Sequence, residues 1–275
     1  MSSKAAALRL QIESVLAGRH ASPFEYRDRR IVETVPAGIP AIDNLTGGLP
    51  RGSLTEIYGP PCAGKTSFLV STLASRTAAS EVCALVDARD AFDPRSAETV
   101  GVKLNQLVWV RCRNADQALR ATDLLIQGGG FGLIALDLSD IPPREVRSVP
   151  LPVWFRFRRA VEYTPTIFLL LDQESNAKSC ASLVLRLRTE ETSWSQTSER
   201  SEAMSLPHPP GLLLEGWKSC AEMMRSNAKP QERAAIPKDF RKDGADFEMQ
   251  TIWNASRAKQ ERRISAIPQG ARKKR

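Results

Sequence analysis

Residues 59–66 read Gly-Pro-Pro-Cys-Ala-Gly-Lys-Thr. They fit the pattern G-x-x-x-x-G-K-[ST], a loop that cradles phosphate groups. The apolar run Ser53-Leu54-Thr55-Glu56-Ile57-Tyr58 before it predicts a buried strand, and Ser67 to Arg76 after it predicts a helix. Strand, glycine loop and helix in that order are the context the motif requires. A nucleoside triphosphate is dense negative charge, so the loop around it needs inward backbone N–H groups and few obstructing side chains. Gly59 and Gly64 give the backbone that freedom. The helix start adds unpaired N–H groups and the positive end of its dipole. The candidate nucleotide-binding residues are therefore Gly59, Pro60, Pro61, Cys62, Ala63, Gly64, Lys65, Thr66 and Ser67. Lys65 is placed to reach the β and γ oxygens, and the Thr66 hydroxyl to hold Mg²⁺.

The rest of the composition narrows the class. A chain of 275 residues with 42% hydrophobic content has room for one large core or a core with appendages. No apolar run approaches the ~20 residues of a membrane span, and Met1-Ser2-Ser3-Lys4 does not open a signal peptide. The expected location is the cytoplasm. Five cysteines, Cys62, Cys83, Cys112, Cys180 and Cys220, are scattered without a C-x-x-C pair. That spacing indicates neither a disulfide framework nor a zinc site. His20 and His208 are far apart, which argues against a histidine metal centre or a Ser-His-Asp triad. The net charge is +8, and residues 226–275 carry 13 Lys/Arg against 6 Asp/Glu. A basic segment of that kind either solubilises the chain or touches nucleic acid.

Leu8, Ile12, Val15 and Leu16 share one helical face, so residues 4–18 predict a short N-terminal helix ending near Gly18. Residues 19–36 are polar and irregular. Strands are then expected at Leu54–Tyr58, Val82–Val86, Leu107–Arg111, Leu133–Leu138 and Thr166–Leu171, with helices at Lys65–Ala79, Asp93–Val100, Ala115–Gln127 and Trp154–Val161. Near-continuous apolar strands alternating with amphipathic helices indicate an α/β fold, a mostly parallel sheet covered on both faces. Leu183–Arg188 predicts a later strand with one wet face, 189–210 a flexible loop, and Leu212–Arg225 one more hairpin. The organisation expected is an N-terminal helix and linker (1–33), a nucleotide-binding core (34–226) and a disordered basic tail (227–275).

A phosphate loop needs a carboxylate at the end of a nearby strand to hold the Mg²⁺ shell. Leu133-Ile134-Ala135-Leu136-Asp137 ends in the leading candidate, Asp137. Asp87, after Ala84-Leu85-Val86, competes with it. A third strand, Phe168 to Leu171, ends in Asp172-Gln173. In a parallel sheet all three ends lie on the edge that carries the phosphate loop.

These residues together resemble the RecA family over roughly 34–188. Gly47-Gly48-Leu49-Pro50-Arg51-Gly52-Ser53-Leu54-Thr55-Glu56-Ile57-Tyr58-Gly59-Pro60 is similar to that family's lead into its phosphate loop. Leu85-Val86-Asp87-Ala88-Arg89-Asp90-Ala91-Phe92-Asp93-Pro94 is similar to the segment that carries its water-activating glutamate. The resemblance implies a RecA-like P-loop NTPase core, ATP and Mg²⁺ as cofactors, Asp137 in the Walker B position, and Gln173 as sensor of the γ-phosphate. It also implies single-stranded DNA as a partner, and an N-terminal helix that docks on another copy of the chain or on another protein.

The departures from that family carry equal weight. Arg89 stands where the glutamate is expected, and an arginine cannot take a proton at neutral pH. The two DNA-gripping loops correspond to Leu138–Pro152, with Arg144 and Arg147, and Glu174–Ser179, with Lys178; both are short. Gln117–Gly132 and Phe155-Arg156-Phe157-Arg158-Arg159 resemble the ImuA-type accessory proteins of damage-induced mutagenesis, which work with a translesion polymerase; the resemblance implies a translesion polymerase or RecA as partner. Three functions follow as expectations: an ATP-binding repair or SOS accessory protein with weak hydrolysis, an active DNA-dependent ATPase and recombinase, or a nucleotide-stabilised interaction protein. Trp154–Arg159 fits either a nucleic-acid contact or a helix with a core face.

Overall fold

The computed structural model describes residues 33–194, 214–226 and 244–250. The expected N-terminal helix at 4–18 lies outside them. Ten strands and six α-helices occur among the described residues, in the order β1 (Thr34–Val35), α1 (Pro40–Thr46), β2 (Leu49–Pro50), β3 (Ser53–Tyr58), α2 (Lys65–Ala78), β4 (Cys83–Asp87), α3 (Pro94–Val100), β5 (Leu107–Arg111), α4 (Ala115–Gly128), β6 (Leu133–Asp137), α5 (Pro143–Arg147), α6 (Leu151–Val161), β7 (Ile167–Asp172), β8 (Leu183–Trp194), β9 (Leu214–Ser226) and β10 (Ala245–Gln250).

Eight strands form the main sheet, in the order β10-β9-β8-β3-β7-β6-β4-β5. From β8 to β5 every pair is parallel, while β9 and β10 add antiparallel. Period-2 alternation divides the strand side chains between two cores. Ile167, Leu169 and Leu171 face the core that receives Phe68, Leu69 and Leu73 of α2. Phe168 and Leu170 face the other, filled by Ala118 and Ile126 of α4 and Trp154, Phe157 and Val161 of α6. This is the doubly covered parallel sheet that the apolar strands predict.

Local chemistry sets the helix boundaries. Asp93 caps α3 by accepting from Arg95 N and Ser96 N, and Asn114 caps α4 by accepting from Gln117 N at 2.9 Å. Satisfying first-turn donors in this way contributes ~1 kcal/mol per cap. In α6 the aromatic and basic residues separate by face. Trp154 and Phe157 are buried, and Phe157 meets Phe168 edge-on at 5.5 Å. Arg156 turns outward and pairs with Asp123. For Trp154 and Phe157 the core-face reading holds.

Three differences from the sequence expectations lie at one end of the sheet. Residues 189–194 extend β8 rather than opening a loop, because cross-strand pairing with β9 supplies what local composition lacks: Arg188 pairs with Glu222 and Lys218 with Glu190. Leu214–Ser226 is one long strand rather than a hairpin, and it is β8 that it pairs with. Ala245–Gln250, expected within the disordered tail, pairs antiparallel with β9. Ala245 and Phe247 are buried while Asp246 and Glu248 are exposed, an alternation that suits a half-covered edge strand. No helix among the described residues is long and apolar enough to cross a membrane.

Candidate functional site

The phosphate-type loop leaves the end of β3 and enters α2, as the motif requires. Gly59 N donates to the Asp172 carbonyl at 3.3 Å, and a Cβ on Gly59 would lie 2.3 Å from the Leu187 carbonyl oxygen. Only glycine fits a loop held that closely to β8. Gly64, at φ 93°, turns the chain into α2 in the left-handed region. A Cβ there would meet Ser219 Oγ at 3.2 Å and the Phe247 ring at 3.6 Å, so β9 and β10 back the loop. Thr189 Oγ1 donates to the Cys62 carbonyl at 2.7 Å, which ties β8 to the exposed turn of Pro60, Pro61 and Cys62. Ala63 is buried beneath it.

Lys65 is buried, and its Nζ donates to the Gly59 and Pro60 carbonyls, each at 2.7 Å. Burial pushes its ammonium below the usual lysine range, opposed by Asp137, Asp140 and Asp172. Thr66 is exposed and Ser67 half-buried on the first turn. Helix α2 has no side-chain cap and no acid in that turn. Its first amides and a buried cation therefore meet at one point, a donor set that suits a polyphosphate.

The strand-end acids converge on the same edge, with different roles. Asp137 lies opposite Asp87 in register, and Tyr58 opposite Asp172. Asp87 is committed to structure. Its carboxylate accepts from Arg89 N at 3.2 Å, Phe92 N at 2.9 Å and Trp109 Nε1 at 3.3 Å. Asp137 is half-buried and accepts from Ser139 N at 2.9 Å. Burial pushes its carboxyl above the usual range, a condition that a nearby divalent cation would reverse. The residues thus fit a Mg²⁺ triphosphate: α2 and Lys65 for the phosphates, Thr66 and Asp137 for the ion and its shell. Among the described residues no hydrogen bond links Thr66 to Asp137 or Lys65 to Gln173.

Gln173 is half-buried, and its Nε2 donates to the Ser139 carbonyl at 2.8 Å and the Ile141 carbonyl at 3.4 Å. The glutamine after β7 therefore holds the segment that follows Asp137. A cleft of about 490 Å³ opens beside it, lined by Tyr58, Gly59, Pro60, Pro143 and Arg186 among others. Beyond Gln173 the chain is tied down repeatedly. Arg147 pairs with Glu174, Arg225 NH1 donates to the Lys178 carbonyl, and Arg158 NH1 donates to the Ser179 carbonyl at 3.3 Å.

Arg89 is exposed at the site edge. Asp90, the adjacent acid, is bound through both carboxylate oxygens by Arg111, which holds it below the usual carboxylate range. A carboxylate so held is a weaker base than a free one. Sequence reasoning missed Glu56, Asn176, Ser219 and Phe247. A single acid inside an apolar strand is the signal that could have exposed Glu56.

A glycine loop between buried strand and helix, flanked by strand-end carboxylates, defines a core of the P-loop fold class. The chain belongs to the RecA family: the RecA N-terminal domain matches residues 7–146, slightly more than half of its 275 residues. Protein RecA of Streptomyces ambofaciens is 37% identical over 121 residues, 43% of this chain and 32% of the relative. Protein RecA of Brucella anthropi is 38% identical over 116 residues, 41% and 32%, and that of Methylococcus capsulatus 38% over 110 residues, 39% and 32%. The chain thus spans about a third of the length of the curated relatives it matches.

Proposed function

We propose that the protein is an ATP-binding factor of DNA repair and recombination in which nucleotide acts mainly as a conformational ligand. The observation that carries this reading is an intact phosphate loop, with Lys65 buried at the start of α2, beside a turn after β4 whose two residues at the expected base position offer no free carboxylate. Arg89 occupies the glutamate position, and Asp90 is bound by Arg111. When bound, Mg²⁺ would neutralise charge on the β- and γ-phosphates. Lys65 would hold those phosphates, Thr66 and Asp137 the ion, and Gln173 would report the γ-phosphate to the Glu174–Ser179 segment.

The short, anchored loops favour an accessory role over a filament that stretches DNA, since such a filament needs many phosphate contacts. Within that role we assign the protein to damage-induced translesion synthesis of the ImuA type, with single-stranded DNA, a translesion polymerase or RecA as partners. We take the core to run from residue 34 to 250, since β10 completes its sheet.

The test is ligand-linked stability. ATP with Mg²⁺ should raise the melting temperature, by the equivalent of about 2.7 kcal/mol at a hundredfold excess over Kd. Lys65→Ala should abolish the rise. An equal rise in the variant would refute nucleotide binding at this loop.

A further inference from the structure

Glu56 is the one charged residue in β3 and is completely buried. A carboxylate taken from water must be matched by donors or by opposite charge. Its three hydrogen-bond donors among the described residues come from one short stretch. Ser175 Oγ donates to Oε2 at 2.7 Å. Asn176 N and Ala177 N donate to Oε1 at 2.7 and 2.8 Å. Arg225 adds favourable charge, and burial still pushes the Glu56 carboxyl above its usual range.

A second buried carboxylate completes the arrangement. Asp172 accepts from Gln173 N at 2.6 Å and from Asn176 Nδ2 at 2.7 Å. Asn176 therefore bridges the two acids, backbone to Glu56 and side chain to Asp172. The Arg147–Glu174 pair outside is exposed, and exposed pairs hold weakly. Hydrogen bonds to a buried charge are the strong class, so the contacts to Glu56, with the one from Asn176 to Asp172, dominate the hold on residues 175–177.

We propose that Glu56 is a positioning residue that clamps the segment behind Gln173 to the strand entering the phosphate loop. The proposal rests on the reading of Gln173 as the γ-phosphate sensor. Glu56 stands three residues before Gly59, so one side chain joins the nucleotide-binding loop to the segment that answers it. With the clamp closed, a nucleotide-driven shift of Gln173 is confined to residues 173–174. With the clamp open, it spreads across 173–180.

Backbone hydrogen exchange of the full chain, with and without Mg²⁺ and a non-hydrolysable ATP analogue, tests this directly. Glu56→Ala should accelerate exchange at Asn176 and Ala177 roughly tenfold or more. It should also widen the nucleotide-dependent change from 173–174 to 173–180. Glu56→Gln should restore protection, because its Oε1 can accept both N–H groups and its amide can face Ser175 Oγ. Exchange that rises evenly across the core, with nothing particular at Asn176 and Ala177, would overturn the clamp. If Glu56→Ala does not fold, Ser175→Ala probes the same contact from the loop side; it should speed exchange at Asn176 and Ala177 severalfold, and unchanged exchange there would overturn it too. The sensor reading fails separately, if Gln173→Ala keeps the nucleotide-dependent change while Glu56→Ala still accelerates exchange.

Discussion

Asp172 shows how single groups at this edge set stability as well as binding. Burial pushes its carboxyl up to about 6. A carboxyl whose pKa is higher in the folded than in the unfolded state binds protons more tightly when folded. Its contribution is therefore largest below the unfolded value, falls as pH rises through the window up to about 6, and is level above it. A shift from 3.8 to about 6 corresponds to ~3 kcal/mol. Asp172→Asn should remove most of that fall, giving a flatter stability curve from pH 4 to 6 in denaturant titrations. Glu56 and Asp137 are shifted in the same direction and should leave a residual slope. A variant curve as steep as the parent's would contradict the assignment. None of these three shifts was legible in the sequence, because each depends on which chain segments cover the carboxylate. The phosphate loop was legible, since its chemistry needs specific residues at fixed spacing.

At the scale of elements, the central strands and helices followed from periodicity, and the outer strands did not. Residues 189–194 and 245–250 become strands through pairing with β9, at sequence separations no local pattern reports. Phe247 joins the core beside Ala63, Leu185 and Leu187 and packs behind Gly64. Helix α1 also rests on β9 and β10. Strand β10 is thus part of the support of the phosphate loop. A chain ending at Ser226 should lose stability, by about 3–5 kcal/mol for the lost Phe247 packing, and should bind ATP more weakly. A chain ending at Gln250 should match the full protein in both. Equal melting temperatures for the two truncations would remove β10 from the loop's support.

Across the whole molecule, the excess positive charge is concentrated after residue 250. Residues 251–275 hold 8 Lys/Arg against one Asp/Glu. If that segment contacts DNA, its removal should weaken binding and flatten the dependence of affinity on salt, since each neutralised phosphate adds to the slope. An unchanged slope would leave it a solubilising segment. The same truncation spares every described contact of the sheet, so it separates charge from fold. On the proposed function, the core keeps its nucleotide loop while Arg89 replaces the base. ATP turnover by the full chain, with and without single-stranded DNA, tests it most directly, with Arg89→Glu alongside. Slow turnover that DNA barely raises is expected, with a gain of tenfold or more in Arg89→Glu, equivalent to ~1.4 kcal/mol of barrier. Fast, DNA-stimulated turnover by the parent protein, with no gain in Arg89→Glu, would contradict it.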